Sequence, residues 1–302
     1  MIRLGTDPQS ARSRQAATPP QLPAPDSVNT TMDASSRAAD PFALDKSDIA
    51  KSFSRAAKSY DSVACLQRHV GSALLALLPS DFQPACTLDL GSGTGYFSAC
   101  LSNRFGGQTL ALDIAPGMLE YARSRHASGD LSWICADAER LPLASGSQDL
   151  VFSCLALQWC YGLDVALKEV ARMLSNTGLF AFATLLPGTL HELEQAWHGV
   201  DDGIHVNRFL PVREVERAVR TSGLKPVQAF QRRWVMHYPD TPALLHALKA
   251  LGAHNVNAGR SQGLGGRRKL AALAQCYERS RVPDGLPARY EVYLALLQRH
   301  AN

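Results

Sequence analysis

A glycine-rich loop, LDLGSGTG at residues 88–95, constrains the fold of this chain more than any other feature of its sequence. Gly91, Gly93 and Gly95 let the backbone turn tightly and approach a ligand without Cβ clashes. The spacing differs from a dinucleotide fingerprint, because the third glycine comes one residue too early. No Gly-Lys-Ser/Thr follows the loop, which excludes a P-loop. Asp89, just before the loop, suits a ligand with a cationic group and disfavours a pyrophosphate.

Strands and helices alternate around this loop. Helical spacing begins at Asp48, and Pro79 closes a second helix. This alternation predicts βαβ units and a parallel sheet with helices on both faces. No clean periodicity is found over residues 187–210. The predicted strands cover residues 87–90, 108–113, 131–136, 149–154, 178–185, 227–238 and 288–297. The predicted helices after Asp48 cover residues 63–78, 96–104, 116–126, 164–175, 211–222, 241–251 and 268–279.

Composition excludes several classes of protein. The 302 residues carry a formal charge of +4 without a basic arm or stripe, so no nucleic-acid partner is expected. No apolar run reaches the ~20 residues that span a bilayer, and the N-terminus lacks the apolar core of a secretion signal. Seven cysteines without paired spacing predict reduced thiols, with neither a disulfide framework nor a zinc site. We therefore expect a cytoplasmic globular protein without a membrane partner.

The first forty residues are rich in Ala, Ser, Pro and Thr and contain few large apolar side chains. Such a segment buries too little apolar area to offset its backbone entropy, so residues 1–40 are predicted to form a disordered extension. The sequence leaves two alternative origins of this segment open. Translation that starts at Met32 is one, and an organelle transit peptide containing Arg3, Arg12 and Arg14 is the second.

Two further acids follow the next two strands. Asp113 lies about twenty residues beyond the loop, where a carboxylate accepts the ribose hydroxyls of a nucleoside. Asp137 can accept from the exocyclic amine of adenine, and Met118 can pack on the adenine face. Each acid alone is more often a helix N-cap. Three acids at the carboxyl ends of successive strands instead favour a site for an adenosine and a positive group, and S-adenosylmethionine fits.

These motifs together resemble those of the class I S-adenosylmethionine-dependent methyltransferases. The resemblance implies a doubly wound, mostly parallel, seven-stranded α/β sheet of the Rossmann-like type with a helical cap. It implies that the loop around Gly91 lines the methionine moiety, that Asp113 holds the ribose and Asp137 the adenine, and that Leu155 floors the methyl-transfer site. The predicted cofactor-binding residues are Tyr60, Gln67, Asp89, Gly91, Ser92, Gly93, Gly95, Asp113, Ile114, Met118, Asp137, Ala138 and Leu155.

Segments outside these motifs narrow the resemblance. They are KSDIAKSFSRAAKSYD at residues 46–61, ACLQ at 64–67, ALQWC at 156–160, LKALGAHN at 248–255 and GLGGR at 263–267. Together they are similar to the malonyl-acyl-carrier-protein O-methyltransferases of biotin synthesis. The implied reaction is methylation of the free carboxylate of a malonyl thioester carried on acyl carrier protein.

The resemblance also implies a domain organisation. It covers nearly all of the chain after the predicted extension, so we expect a methyltransferase domain over residues 41–302, with cap segments near 187–215 and 239–285. Residues 191–302 contain 16 basic and 10 acidic side chains, net +6. This more electropositive part is where an acidic carrier protein is expected to dock.

The implied chemistry requires little acid–base catalysis. A malonyl carboxylate, with an ordinary pKa near ~4, is ionised at neutral pH, so no general base is expected. The protein must align a carboxylate oxygen with the methyl group, exclude water and clamp the carboxylate, for which arginine is best suited. The predicted substrate residues are Tyr60, Trp159, His254 and Arg260. Further candidates are Gln67, Tyr161, Asn255, Arg208, Arg232, Arg233, Arg267 and Arg268.

Other functions stay open from the sequence alone. The same core serves class I methyltransferases that act on another small carboxylate or on a quinone ring. It also occurs in methyltransferase-like assembly factors and protein-modifying enzymes, and in modules that bind the cofactor without turnover. The many arginines after residue 190 argue against an apolar quinone site, and the intact cofactor motifs argue against a lost site.

Overall fold

One sheet with helices on both faces forms the framework of the molecule. The computed structural model describes residues 3–5, 45–126, 130–253 and 266–299. The strands are β1 (Arg3–Gly5), β2 (Cys86–Leu90), β3 (Gln108–Asp113), β4 (Leu131–Cys135), β5 (Gln148–Cys154), β6 (Leu174–Leu185), β7 (Leu224–Tyr238) and β8 (Leu286–Arg299). The helices are α1 (Lys46–Val63), α2 (Cys65–Leu75), α3 (Tyr96–Phe105), α4 (Pro116–Arg125), α5 (Leu163–Met173), α6 (His191–His198), α7 (Val212–Ser222), α8 (Thr241–Ala250) and α9 (Gly266–Glu278), with a 3-10 turn at Leu157–Trp159.

The strands follow the order β1-β7-β8-β6-β5-β2-β3-β4. All pairings from β6 through β5, β2 and β3 to β4 are parallel, whereas β8 is antiparallel to both β6 and β7. Apart from β1, this is the seven-stranded, mostly parallel, doubly wound sheet that the sequence predicts. The strand order reverses between β2 and β5, and in open α/β sheets ligands bind beyond the carboxyl ends of the strands at such a point.

Strand β1 departs from the disorder predicted for residues 1–40. Arg3–Gly5 pair antiparallel with β7, and Leu4 lies opposite Met236. The edge of a sheet offers unpaired backbone N–H and C=O groups to any segment that reaches it. Main-chain groups make this pairing, so the amino-acid composition of the segment does not predict it. The rest of the predicted extension lies outside the described residues.

The central strands are buried along most of their length because helices cover both faces of the sheet. Phe152, Phe180 and Phe182 are fully buried there. Helix α5 buries one apolar face against the sheet. This face is formed by Leu163, Ala166, Leu167, Val170 and Met173. Among the described helices, none is both long and apolar enough to cross a membrane.

Helix α6 lies in the stretch for which the sequence predicts no regular element. Its Leu193 and Ala196 are buried, but Glu192 beside them is buried too. The Glu192 carboxylate accepts from the backbone N–H of Arg289 at 3.1 Å. This inward-facing glutamate interrupts the apolar periodicity and so conceals the helix from pattern analysis. The other predicted helices and strands begin and end within a few residues of the observed bounds.

Helix α1 packs closely against both α4 and α8. On the α8 side, the Ser59 hydroxyl donates to the carbonyl oxygen of Ala250 at 2.9 Å. On the α4 side, a Cβ added to Gly117 would lie 2.8 Å from the Cβ of Ser54. Only glycine at position 117 therefore allows the two helices to approach this closely.

Replacement of Gly117 tests this packing. Although alanine is the better helix former, we expect Gly117→Ala to lower the free energy of unfolding by about 1–3 kcal/mol, because the added methyl forces α1 away from α4. Gly266→Ala is the matched control, since no described atom lies within 4 Å of its Cβ position. Urea unfolding of both variants provides the measurement, and equal stability of the two would contradict the packing argument.

Candidate active site

The glycine loop follows β2 and leads into α3. Gly91, Gly93 and Gly95 have φ angles of 78°, 54° and 79°, a left-handed region that glycine adopts without strain. A Cβ on Gly91 would lie 2.2 Å from the Cβ of Ala156, and a Cβ on Gly95 would lie 2.6 Å from the Trp133 ring. Both the backbone conformation and the available space therefore require glycine at these two positions.

Asp113 ends β3 and connects two loops. One carboxylate oxygen accepts from the N–H of Gly93 at 2.8 Å, and the other accepts from the N–H of Ala115 at 2.8 Å. Burial raises the pKa of Asp113, while the hydrogen bonds from Ala115 and Gly93 oppose that rise. The side chain thus holds the glycine loop and the start of α4 in fixed positions beside the same cavity.

Asp89 is buried and does not line the main cavity. Its carboxylate is 2% exposed and accepts from the Ser98 hydroxyl at 2.6 Å. Burial raises the pKa of Asp89 to about 7, and the nearby Asp113 adds to this rise. Asp89, Ser92 and Gln67 all border a smaller recess of about 440 Å³, which shares Tyr60, Gly91, Gly93 and Cys154 with the main cavity.

A cavity of about 750 Å³ opens beside the glycine loop at the carboxyl ends of β2, β3 and β5. It brings together ten of the residues that the sequence analysis predicts for the site: Tyr60, Gly91, Gly93, Asp113, Ile114, Met118, Asp137, Ala138, Leu155 and Trp159. Gly95 does not line it, and Gln67 lines other cavities. His254, Asn255 and Arg260 lie outside the described residues.

Lys46 is a residue of this cavity that the sequence analysis did not assign. Its ammonium group donates to Asp137 at 2.5 Å and also pairs with Glu139. Partial burial disfavours the charged form of Lys46, but the hydrogen bonds to Asp137 and Glu139 outweigh it and raise the pKa of Lys46. Lys46 is the first residue of the 46–61 segment. Its contact with Asp137 is seen only in the folded chain, because the two residues are far apart in sequence.

Helix α1 forms one wall of the cavity. Ile49, Phe53 and Tyr60 project from it into the lining. The rings of Phe53 and Trp159 meet edge to face with their centroids 5.4 Å apart. Burial raises the pKa of Tyr60 far above its usual value, so its hydroxyl stays protonated.

A second cavity of about 740 Å³ adjoins the first. The two share four lining residues, which are Phe53, Tyr60, Leu155 and Trp159. Leu155 adopts a left-handed conformation with φ 53°, a strained state for a leucine. Residues from α6, α8 and the segment 205–209 complete the lining, so both predicted cap segments contribute to it.

The described arginines considered as carboxylate clamps line neither large cavity. Arg232 stacks on the ring of Trp234 at 4.8 Å, and Arg233 pairs with Glu291 at 2.6 Å. Arg208 is exposed. Within the described parts of the chain, neither of the two large cavities is lined by an arginine. The described residues also contain no cluster of His, Cys, Asp or Glu suited to a metal ion.

Comparison with known proteins places this geometry in a class. Residues 88–182 match a family model described as a methyltransferase domain. The YcgJ protein of Bacillus subtilis superposes with a TM-score of 0.53 at 15% identity, over 78% of this chain and 99% of that one. Geranyl diphosphate C-methyltransferase of Streptomyces coelicolor, solved with S-adenosyl-L-homocysteine, gives a TM-score of 0.50 at 16% identity over 78% and 80%. At these identities the solved structures establish the fold alone, which is that of the Rossmann-like methyltransferases.

Closer relatives identify the family. The biotin biosynthesis bifunctional protein BioHC of Cellvibrio japonicus is 47% identical over 84% of this chain, which spans about half of that longer protein (50%). The malonyl-[acyl-carrier protein] O-methyltransferase of Hahella chejuensis is 42% identical over 85% of this chain and 92% of its own length. That of Methylococcus capsulatus is 42% identical over 86% and 96%. The chain belongs to the malonyl-[acyl-carrier protein] O-methyltransferase family, which confirms the resemblance found in the sequence.

Removal of the Asp113 carboxylate tests its predicted role. We expect Asp113→Ala to weaken the binding of S-adenosylmethionine on the order of 10- to 100-fold, because the ribose hydroxyls lose a charged acceptor. Asp149→Ala is the control, since Asp149 also accepts from backbone N–H groups, those of Ala85 and Cys86, outside both cavities. Isothermal titration measures the two affinities, and an unchanged affinity of Asp113→Ala would refute the assignment.

Asp89 should make stability depend on pH. Its folded-state pKa of about 7 exceeds the ordinary value of 3.8, so the folded chain binds this proton more tightly than the unfolded chain. The resulting stabilisation is complete below pH ~4 and is lost as the pH rises through ~7. We expect Asp89→Asn to unfold at higher urea concentration than the wild type at pH 8, with a smaller difference at pH 5. Parallel pH profiles for the two proteins would contradict this.

Proposed function

We propose that this chain transfers the methyl group of S-adenosylmethionine to the free carboxylate of malonyl-acyl carrier protein, giving the methyl ester at an early step of biotin synthesis. The observation that carries the proposal is the pair of adjoining cavities with a common wall of Phe53, Tyr60, Leu155 and Trp159. Relatives that align over about nine-tenths of their length carry the name of this activity.

The first cavity fits the cofactor. Gly91 and Gly93 line it without side chains, and a Cβ on Gly91 would clash with Ala156 of the same lining. Asp113 keeps two carboxylate oxygens at the cavity, where they retain further lone pairs for ribose hydroxyls. Met118 and Ile114 offer apolar surface to the adenine, and Asp137 and Ala138 lie beside them. When bound there, S-adenosylmethionine supplies an electrophilic methyl group on a positively charged sulfur.

The protein itself positions the reactants. The malonyl carboxylate is ionised at neutral pH, so no side chain has to remove a proton. A new bond joins a carboxylate oxygen to the methyl carbon, the methyl–sulfur bond breaks, and its electron pair stays on sulfur. Tyr60, Leu155 and Trp159 border both cavities, and we assign to them the alignment of the two groups and the exclusion of water.

The proposal extends to partner and compartment. An acidic carrier protein would dock on the C-terminal part of the chain, which carries the net charge of +6.

All seven cysteines are free thiols, and several lie in or beside the buried core. Free thiols are typical of a reducing compartment, which supports a cytoplasmic location.

A substrate comparison tests the function. The purified protein is incubated with labelled S-adenosylmethionine and either malonyl- or acetyl-acyl carrier protein. We expect label on the malonyl form alone, because acetyl lacks the carboxylate, and we expect mild alkali to release the label as it does from an ester. Equal label on both carriers, or on neither, would refute the proposal and leave the other methyltransferase or assembly functions.

A further inference from the structure

The second cavity has an almost uncharged lining. In the described lining there is no arginine, lysine, aspartate or glutamate. The described lining contains one imidazole, that of His205, and its Nε2 lies 2.6 Å from Oδ1 of Asp201. The described surface of this cavity therefore lacks the arginine expected as a carboxylate clamp.

Three amide side chains line the same cavity. The side-chain oxygens of Gln67, Gln158 and Asn207 are buried, and none has a hydrogen-bond partner among the described residues. An unpaired buried polar atom costs free energy, so native proteins rarely tolerate several together. Three such atoms in one cavity indicate a polar ligand that pairs with them.

The three amides differ in their freedom to turn. Nε2 of Gln158 donates to the carbonyl oxygen of Leu155 at 2.6 Å, which fixes this side chain and supports the strained leucine. No described residue hydrogen-bonds the amide groups of Gln67 and Asn207. A half-turn of either amide exchanges its oxygen and nitrogen and places two N–H donors where the unpaired oxygen lies.

We propose that Asn207 and Gln67 are the hydrogen-bond donors that hold the malonyl carboxylate, an inference that rests on the proposed function. Asn207 lies between α6 and α7. Gln67 lies on α2 and also borders the smaller recess beside the glycine loop. The two donors therefore reach the cavity from different elements.

Neutral donors suit the change of charge in this reaction. The malonyl group enters as an anion and leaves as a neutral ester. A buried arginine that paired with the anion would be left with an uncompensated charge once the ester forms. An amide N–H donates to the carboxylate before the transfer and to the ester carbonyl after it, so no buried charge is left unpaired.

Two nearly isosteric replacements of Asn207 test the inference. Asn207→Leu removes the donors, and we expect kcat/KM for malonyl-acyl carrier protein to fall on the order of 10- to 100-fold, the range for hydrogen bonds to charged groups. Asn207→Asp keeps the shape but places an anion beside the carboxylate, so we expect a larger loss than with Leu. Gln67→Met should lower kcat/KM in the same sense as Asn207→Leu.

Matched controls separate recognition from folding. Gln148→Met removes a buried amide with an equally unpaired oxygen outside both large cavities, and Asn176→Asp adds the same charge at an exposed site. We expect near wild-type kcat/KM for both controls, and an unchanged S-adenosylhomocysteine affinity for the Asn207 variants as proof of folding.

The outcomes are distinct. A wild-type kcat/KM in Asn207→Leu would overturn the proposed donor role, and so would an Asn207→Asp variant as active as Asn207→Leu. The proposed function stands in either case as long as the wild-type protein methylates malonyl-acyl carrier protein. If the wild-type protein leaves that substrate unmethylated, the function itself fails. A loss of S-adenosylhomocysteine affinity in the Asn207 variants would assign the residue a structural role and also overturn the inference.

Discussion

The carboxylate of Asp113 is the interaction on which the rest of the site depends. It is the last residue of β3, and its two oxygens accept from the loop after β2 and from the start of α4. Because β2 and β3 are parallel neighbours, their carboxyl ends lie side by side and one side chain reaches both loops. The position of the first cavity therefore follows from the strand order, and the hydrogen bonds of this one residue hold two of the loops that line it.

Much of this architecture can be predicted from the sequence because its signals are local. Alternating apolar segments identify six of the seven main strands to within three residues, and the glycines mark the loop positions with a left-handed backbone. Most of the predicted cofactor residues of the first cavity follow from that order, because they lie at the end of a strand or in the loop after it; Tyr60 on α1 and Met118 within α4 do not. Asp89 is the exception. It also lies near the carboxyl end of a strand, but its carboxylate accepts from Ser98 and does not line the first cavity.

The features that sequence reasoning missed depend on contacts between distant segments. The pairing of Lys46 with Asp137 joins residues 91 positions apart, and no spacing rule connects them. Helix α6 is concealed by buried Glu192, whose partner Arg289 lies on the last strand. Asn207 has no motif around it, and it became visible only through its place in the second cavity. The proposed substrate site is therefore less predictable from sequence than the proposed cofactor site, because tertiary packing brings its residues together.

The position of α1 couples the two cavities thermodynamically. Phe53 and Tyr60 of this single helix line both, and the ammonium of Lys46 at its first turn fastens it to Asp137 and Glu139. A displacement of α1 would move a wall of both cavities at once. A ligand that holds the helix in place from one cavity lowers the cost of ordering it for a ligand in the other, and by reciprocity each ligand strengthens the binding of its neighbour by the same factor.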